Sequence, residues 1–203
     1  MYGEQLASFL TGVTTSQLRA FRRKHLLVPE VRSGRPPLYS FRDLVALRTI
    51  GRLRADTSAQ KLAKALRTLP LLEMTRHPAE YVFGTDGADI YVKGPTGDAI
   101  SLVKQRGTPT LTTFEEVLDS YTNFKGQDVV DFRRPSKYLE LDAERMSGLP
   151  TIRGTRVDLM TVLDEVDPDD PESIEEFAED HVGVSTDAVR DALDFDMRVK
   201  AAG

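Results

Sequence analysis

Hydrophobic positions in the first seventy residues recur every three or four places, the spacing of amphipathic helices. Leu6, Phe9 and Leu10 define a short first helix that Thr11-Gly12 ends. The next run, Val13-Thr14-Thr15-Ser16-Gln17-Leu18, predicts a capped helix start. The Thr14 hydroxyl can accept the N–H of residue 17, the Gln17 side chain can return the bond, and Val13 and Leu18 fall where a hydrophobic staple closes. Down this second helix Leu18 and Phe21 share one face, while Thr15, Ser16, Arg19 and Arg23 fall opposite. Arg22 sits at the flank and Lys24 at the end. After Pro29, Val31-Arg32-Ser33-Gly34-Arg35 predicts two short extended arms around a tight Ser-Gly turn, closed by Leu38-Tyr39. Ser40 then starts a helix carrying Leu44, Leu47, Ile50 and Leu53, and Ser58 another carrying Ala59, Leu62, Leu66 and Leu69.

Beyond Pro70 and Pro78 the period shortens toward two. Tyr81 to Val92 reads as strand, Asp-Gly turn, strand; Gly94 to Asp98 makes a second turn before Ile100-Ser101-Leu102-Val103. Thr112 or Thr113 can cap a short helix from Phe114 to Tyr121. Leu139 to Asp142 alternates like a strand. Three further helical patterns follow: Leu159 to Val166, Ile174 to Val182 behind Pro171, and a last one opening at Ser185. In that last helix Ala192, Phe195 and Val199 continue a broad apolar arc, wider than a small three-helix core needs, which points to a partner or second protomer. The expected fold is mainly α with a small β-rich middle. It divides into a winged helix-turn-helix at 1–69, a β-hairpin or meander segment at 70–137, and a three-helix, helix-turn-helix-like domain at 138–203.

Charge changes this picture. The net charge of −5 hides a basic head, +9 over residues 1–67, and an acidic tail, −10 over residues 147–203. Such a head suits a polyanion, and the tail is repelled by the same polyanion. No stretch approaches the roughly 20 apolar residues of a membrane span, and Met1-Tyr2-Gly3-Glu4 opens no secretory signal, so a cytoplasmic protein is expected. The chain has no cysteine, which excludes disulfides, thiolate nucleophiles and zinc–cysteine sites.

Capping box, arginine face and arginine-bearing turn within thirty residues predict binding to duplex DNA. Thr15, Ser16, Arg19, Arg22, Arg23 and Lys24 are the expected groove or phosphate contacts from the helix. Arg32, Arg35 and Tyr39 are those from the wing. The string Leu6-Ala7, Thr11-Gly12-Val13, Leu18-Arg19, Phe21, Leu27, Pro29, Arg35, Tyr39-Ser40 and Asp43-Leu44 resembles the DNA-binding domain of MerR-type regulators. That resemblance implies that the second helix enters the major groove and that Arg19, Arg32 and Arg35 touch phosphate. The chain departs from the pattern in having Ala20 where an aromatic is usual, and no long heptad helix after residue 69.

The tail string Pro150-Thr151-Ile152-Arg153-Gly154-Thr155-Arg156 resembles a domain of unknown function marked by P-x-I-x-G-T-R. Members of that family occur as antitoxins beside PIN-domain ribonuclease toxins. With the MerR-like head, the whole chain resembles a non-standard VapB-type antitoxin. The resemblance implies a homodimer that binds operator DNA and holds a toxin, with Arg153, Arg156, Ala192, Phe195 and Val199 as candidate partner contacts. For Arg153 and Arg156 a structural reading, tying their loop to carbonyls or carboxylates, stands ahead of insertion into a toxin's acidic metal site. Asp187, Asp191, Asp194 and Asp196 argue against DNA reading by the last helix. A MerR-like ligand-responsive regulator without a toxin is the rival reading. No catalytic, cofactor or metal site is expected. His25, His77 and His181 are scattered, the glycines lack phosphate-loop spacing, and the acidic run at 164–170 lacks calcium-loop geometry.

Overall fold

The computed structural model describes residues 1–103 and 110–202. Four helices build the head: α1 (Glu4–Thr11), α2 (Thr15–Arg23), α3 (Phe41–Asp56) and α4 (Ala59–Thr68). α1 ends on Gly12 in the left-handed conformation at φ +67°, as the Thr11-Gly12 pair predicts. α3 opens on a completed capping box between Ser40 and Asp43, and α4 on Ser58, whose hydroxyl accepts the Lys61 N–H. Leu44, Leu47, Ile50, Leu53, Leu62 and Leu66 are buried as their period requires.

The middle forms β1 (Phe83–Thr85), β2 (Ile90–Lys93), β3 (Ala99–Ser101) and β4 (Thr110–Leu111), an antiparallel sheet in the order β3-β2-β1-β4. Thr85 pairs with Ile90 across the Asp86-Gly87 turn, with Gly87 at φ +79°. α5 (Phe114–Leu118) stops short of Tyr121, which instead begins β5 (Tyr121–Thr122), paired with β6 (Asp128–Val129). The tail contains β7 (Leu139–Glu140) paired with β8 (Thr151–Ile152), then α6 (Leu159–Glu165), α7 (Pro171–Asp180) and α8 (Thr186–Ala201).

One continuous core runs from Tyr2 to Val199, so head, middle and tail share an interior. At its centre lies a residue that the helical period does not single out. Arg48 is fully buried in α3, and its guanidinium donates to five carbonyls. These are Leu10 O, Val117 O at 2.7 Å, Leu118 O at 3.1 Å, Asp119 O at 2.7 Å and Val130 O at 2.6 Å. Leu10 belongs to the last turn of α1, and Val117 and Leu118 to that of α5, where carbonyls lack partners within their own helix. No carboxylate among the described residues pairs with it; the charge rests on the negative ends of two helices and faces the rings of Tyr121 and Phe132. Burial pulls the Arg48 guanidinium down to about 10.

Head and tail meet directly. Phe9 of α1 packs edge-on against Phe195 of α8, with ring centroids 5.4 Å apart. The Tyr2 hydroxyl donates to the Gly148 carbonyl, and Gly148, at φ +80°, lies so close to Phe41 that a Cβ there would overlap the ring. These contacts overturn one expectation. Ala192 and Phe195 are fully buried and Val199 nearly so, inside the protein itself. The arc of α8 is broad because it covers α1 as well as α6 and α7, and it leaves Ala192 and Phe195 no partner surface.

Candidate nucleic-acid interface

α2 is held at its start by the expected box: Gln17 N donates to Thr14 Oγ1 at 3.3 Å, and Thr14 N donates to Gln17 Oε1 at 2.9 Å. Val13 and Leu18 are both buried and close the staple. Leu18 is the one fully buried residue of this nine-residue helix. Ser16, Arg19, Arg23 and Lys24 are exposed and Thr15 is half-buried. The hydroxyl-and-arginine face is therefore turned outward.

Arg19 is exposed but not idle. Its Nε and Nη2 donate to Glu4 Oε2 at 3.1 and 2.9 Å, a hydrogen bond that raises the guanidinium pKa further above its ordinary value. The side chain keeps 60% of its surface in solvent. A phosphate can thus replace the carboxylate on this exposed group. Arg22 is different: only 23% of its side chain is exposed, and Nη1 lies 4.0 Å from Glu4 Oε1. Tyr39 is buried at 1%, its backbone paired both ways with Tyr2 at 3.0 and 2.9 Å. Burial pushes its phenol up to about 12. Tyr39 therefore drops out as a direct DNA contact; Arg22 stays partly exposed at the flank of α2, beside the wall that Tyr39 forms. There the Tyr39 hydroxyl, Glu4 Oε1 and Arg22 Nη1 are buried without hydrogen-bond partners.

The arms around Ser33-Gly34 form the expected wing. Arg32 N donates to Leu38 O at 3.1 Å, Leu38 N donates to Arg32 O at 2.9 Å, and residues 31–36 are all exposed. Arg32 Nε donates to Pro36 O at 2.8 Å, and both Arg32 and Arg35, on the far arm, are exposed. The wing's base hangs on Asp43, a fully buried carboxylate. Its Oδ2 accepts the N–H of Glu30 at 3.0 Å and of Ser40 at 2.8 Å, while Oδ1 lies 3.2 Å from His77 Nε2. Ala79 N donates to His77 Nδ1, so the ring proton sits on Nε2 and is donated to Asp43. Arg42 bonds Glu30 and also reaches Glu80 at 3.0 Å; the Arg42 hydrogen bond holds the Glu30 carboxyl below the usual carboxylate range. Donor atoms of Glu30, Asp43 and His77 fall within 4.8 Å of one another, the spacing of a metal cluster. Each is already committed to the tie just described, which locks wing, α3 and the middle together. The Ser40-x-x-Asp43 spacing was the only sequence sign of this tie.

In the tail, Arg153 donates to the Lys137 carbonyl, the Gly154 N–H donates to Glu140 Oε1 at 3.0 Å, and the Thr155 hydroxyl donates to Ile152 O at 2.8 Å. The loop is a fixed structural turn, with Arg156 left exposed. Of the four aspartates in α8, Asp191 accepts bonds from Ser136 Oγ and Tyr138 N at 2.6 and 2.7 Å, and Asp196 pairs with Lys200 at 2.6 Å.

Comparison with known families gives two matches. Residues 6–67 match the MerR HTH family regulatory protein model, and residues 139–195 match that of a protein of unknown function, DUF433. No curated protein and no solved structure matches the chain. The N-terminal region is thus a MerR-type helix-turn-helix, and a DUF433 domain closes the chain. Among the described residues no helix is long and apolar enough to cross a membrane.

Proposed function

We propose that this protein is the antitoxin of a type II toxin–antitoxin pair. It binds operator DNA through α2 and the wing, as a homodimer, and neutralises a PIN-domain ribonuclease through its acidic tail. The observation that carries the DNA half is the exposure of Ser16, Arg19, Arg23, Lys24, Arg32 and Arg35 around one capped helix. The tail supports the second half. Its surface carboxylates on α7, and Asp187 and Asp194 on α8, exclude it from the duplex and suit a basic protein surface. Arg156 is the remaining exposed candidate on the toxin side.

Gel-shift titration of the full chain against its own upstream region, at several salt concentrations, tests the first half. No preference for that region over random duplex removes the DNA reading. Co-purification with the product of the adjacent reading frame tests the second.

A specific feature favours the rival, ligand-responsive reading. A mainly apolar groove of about 390 Å³ opens between α1 and the tail, lined among others by Leu6, Leu159, Met160, Leu163 and Val199. Glu4 stands on its edge and also holds Arg19. A small molecule seated there would act on the carboxylate that competes with phosphate for the recognition helix. Loss of toxin co-purification together with effector-dependent DNA affinity would select this alternative.

A further inference from the structure

We propose that the β5–β6 hairpin is a second wing, which lays Lys125 and Gln127 along the phosphate backbone of the duplex whose groove receives α2. This rests on the DNA reading above and extends it to a segment that lies outside both family matches.

The hairpin is fixed to the turn of the helix-turn-helix. The Tyr121 hydroxyl donates to Thr11 O at 2.6 Å, and Asn123 Nδ2 reaches Gly12 O at 3.5 Å. Gly12 lets the two surfaces close: a Cβ there would lie 2.5 Å from Val129 Cγ2 and 2.6 Å from the Tyr121 hydroxyl. On the other side Phe124 packs under the Arg54 guanidinium, 4.5 Å from ring centroid to Cζ. The tip is shaped from within by Asn123, whose Oδ1 accepts the N–H of Lys125 at 2.9 Å and of Gln127 at 3.1 Å, with Gly126 at φ +74°. Residues 125–128 are exposed on this rigid base.

What the tip faces decides its use. Lys125 and Gln127 form one wall of a polar cleft of about 340 Å³, and Thr14, Thr15 and Ser16 form another. Thr15 and Ser16 begin the helix that enters the major groove, so a rigid element beside them meets the sugar–phosphate edge of that groove. The first wing follows the end of α2; the hairpin stands at its beginning. Backbone contacts then bracket the recognition helix from both ends. Lys125 is the hairpin's one cation; Asp128, its one carboxylate, also borders the cleft and accepts a hydrogen bond from Thr122 Oγ1 at 3.0 Å on the neighbouring strand. Because the tip is ordered before DNA arrives, a phosphate contact there carries little further entropic cost.

The test is fluorescence anisotropy of the full chain on a duplex from its own upstream region, across a salt series. Arg19→Ala, Lys125→Ala and Lys125→Glu are compared with the unsubstituted chain. Lys125→Ala is expected to weaken binding several-fold and to reduce the log K against log salt slope by about 0.9, the value of one phosphate contact. Lys125→Glu should weaken it further, and the melting temperature of both should stay unchanged. Binding that depends on Arg19 but keeps its affinity and slope in both Lys125 variants overturns the second wing and leaves the DNA reading standing. Absence of upstream-specific binding by the unsubstituted chain overturns both.

Discussion

α2 and α3 both begin with a capping box and both are rich in arginine, yet they use it in opposite ways. α2 buries one residue of nine and turns Arg19 and Arg23 to solvent; α3 buries ten of sixteen, Arg48 among them. In α2 the guanidinium is a field presented to a polyanion. In α3 it is a clamp on backbone carbonyls, repeated at the margin by Arg52, which donates to Asp119 O and Ser120 O, and by Arg54, which donates to Thr57 O. The +9 of the head therefore overstates the cation density at the DNA face, since part of it is spent on folding.

Arg48→Met should have the largest effect. Removing the donors leaves several buried carbonyls unpaired, at about 1–3 kcal/mol each and not additively, so a loss of roughly 3–5 kcal/mol is expected. Thermal unfolding should shift down by roughly 10 °C for a chain of this size. Retained stability would mean that water takes over the carbonyls. Gly148→Ala comes next: a positive φ and a Phe41 ring in the way should cost about 2 kcal/mol, read by denaturant midpoint, with head and tail still unfolding together.

Arg23→Ala should leave stability within about 0.5 kcal/mol and weaken DNA binding uniformly across sequences, reducing the salt slope by about 1. A stability loss equal to that of Arg48→Met would erase the distinction between the two helices. Glu4→Gln removes the carboxylate that competes for Arg19, and a few-fold tighter complex at low salt is expected from the same titration. The smallest effect concerns Arg42→Ala. Glu30 titrates below its ordinary range in the folded state, so its contribution is fully present above the unfolded value and is lost as pH falls through the folded one. Carboxylate NMR of the variant should show the Glu30 pKa rising back toward the ordinary carboxylate range, with stability at neutral pH changed by under about 0.5 kcal/mol because the pair is exposed.

Local chemistry made much of this legible. The Thr14–Gln17 box, the Gly12 stop, the Ser33-Gly34 turn and the Asp86-Gly87 hairpin each depend on neighbours in sequence and appear where their residues place them. What failed to show depends on distance. Arg48 bonds residues 38 to 82 positions away, and a buried cation satisfied by carbonyls leaves no charge partner to notice. The β5–β6 hairpin has two-residue strands, too short for any alternation to register. Phe195 suggests a partner contact from sequence because the residue it packs on, Phe9, belongs to a helix nearly two hundred positions earlier. The place of Tyr39 beside the arginines suggests a wing contact, but its backbone pairing with Tyr2 accompanies a buried ring.

Four of the five oxygens that satisfy Arg48 come from Val117 to Val130. A nascent chain emerging from the ribosome therefore has all of its groove-facing arginines long before it has the means to aim them. Cleavage before Val117 would leave a fragment that is charged but lacks four of those five oxygens. A protease attacking the centre of this molecule would silence its front end without touching it.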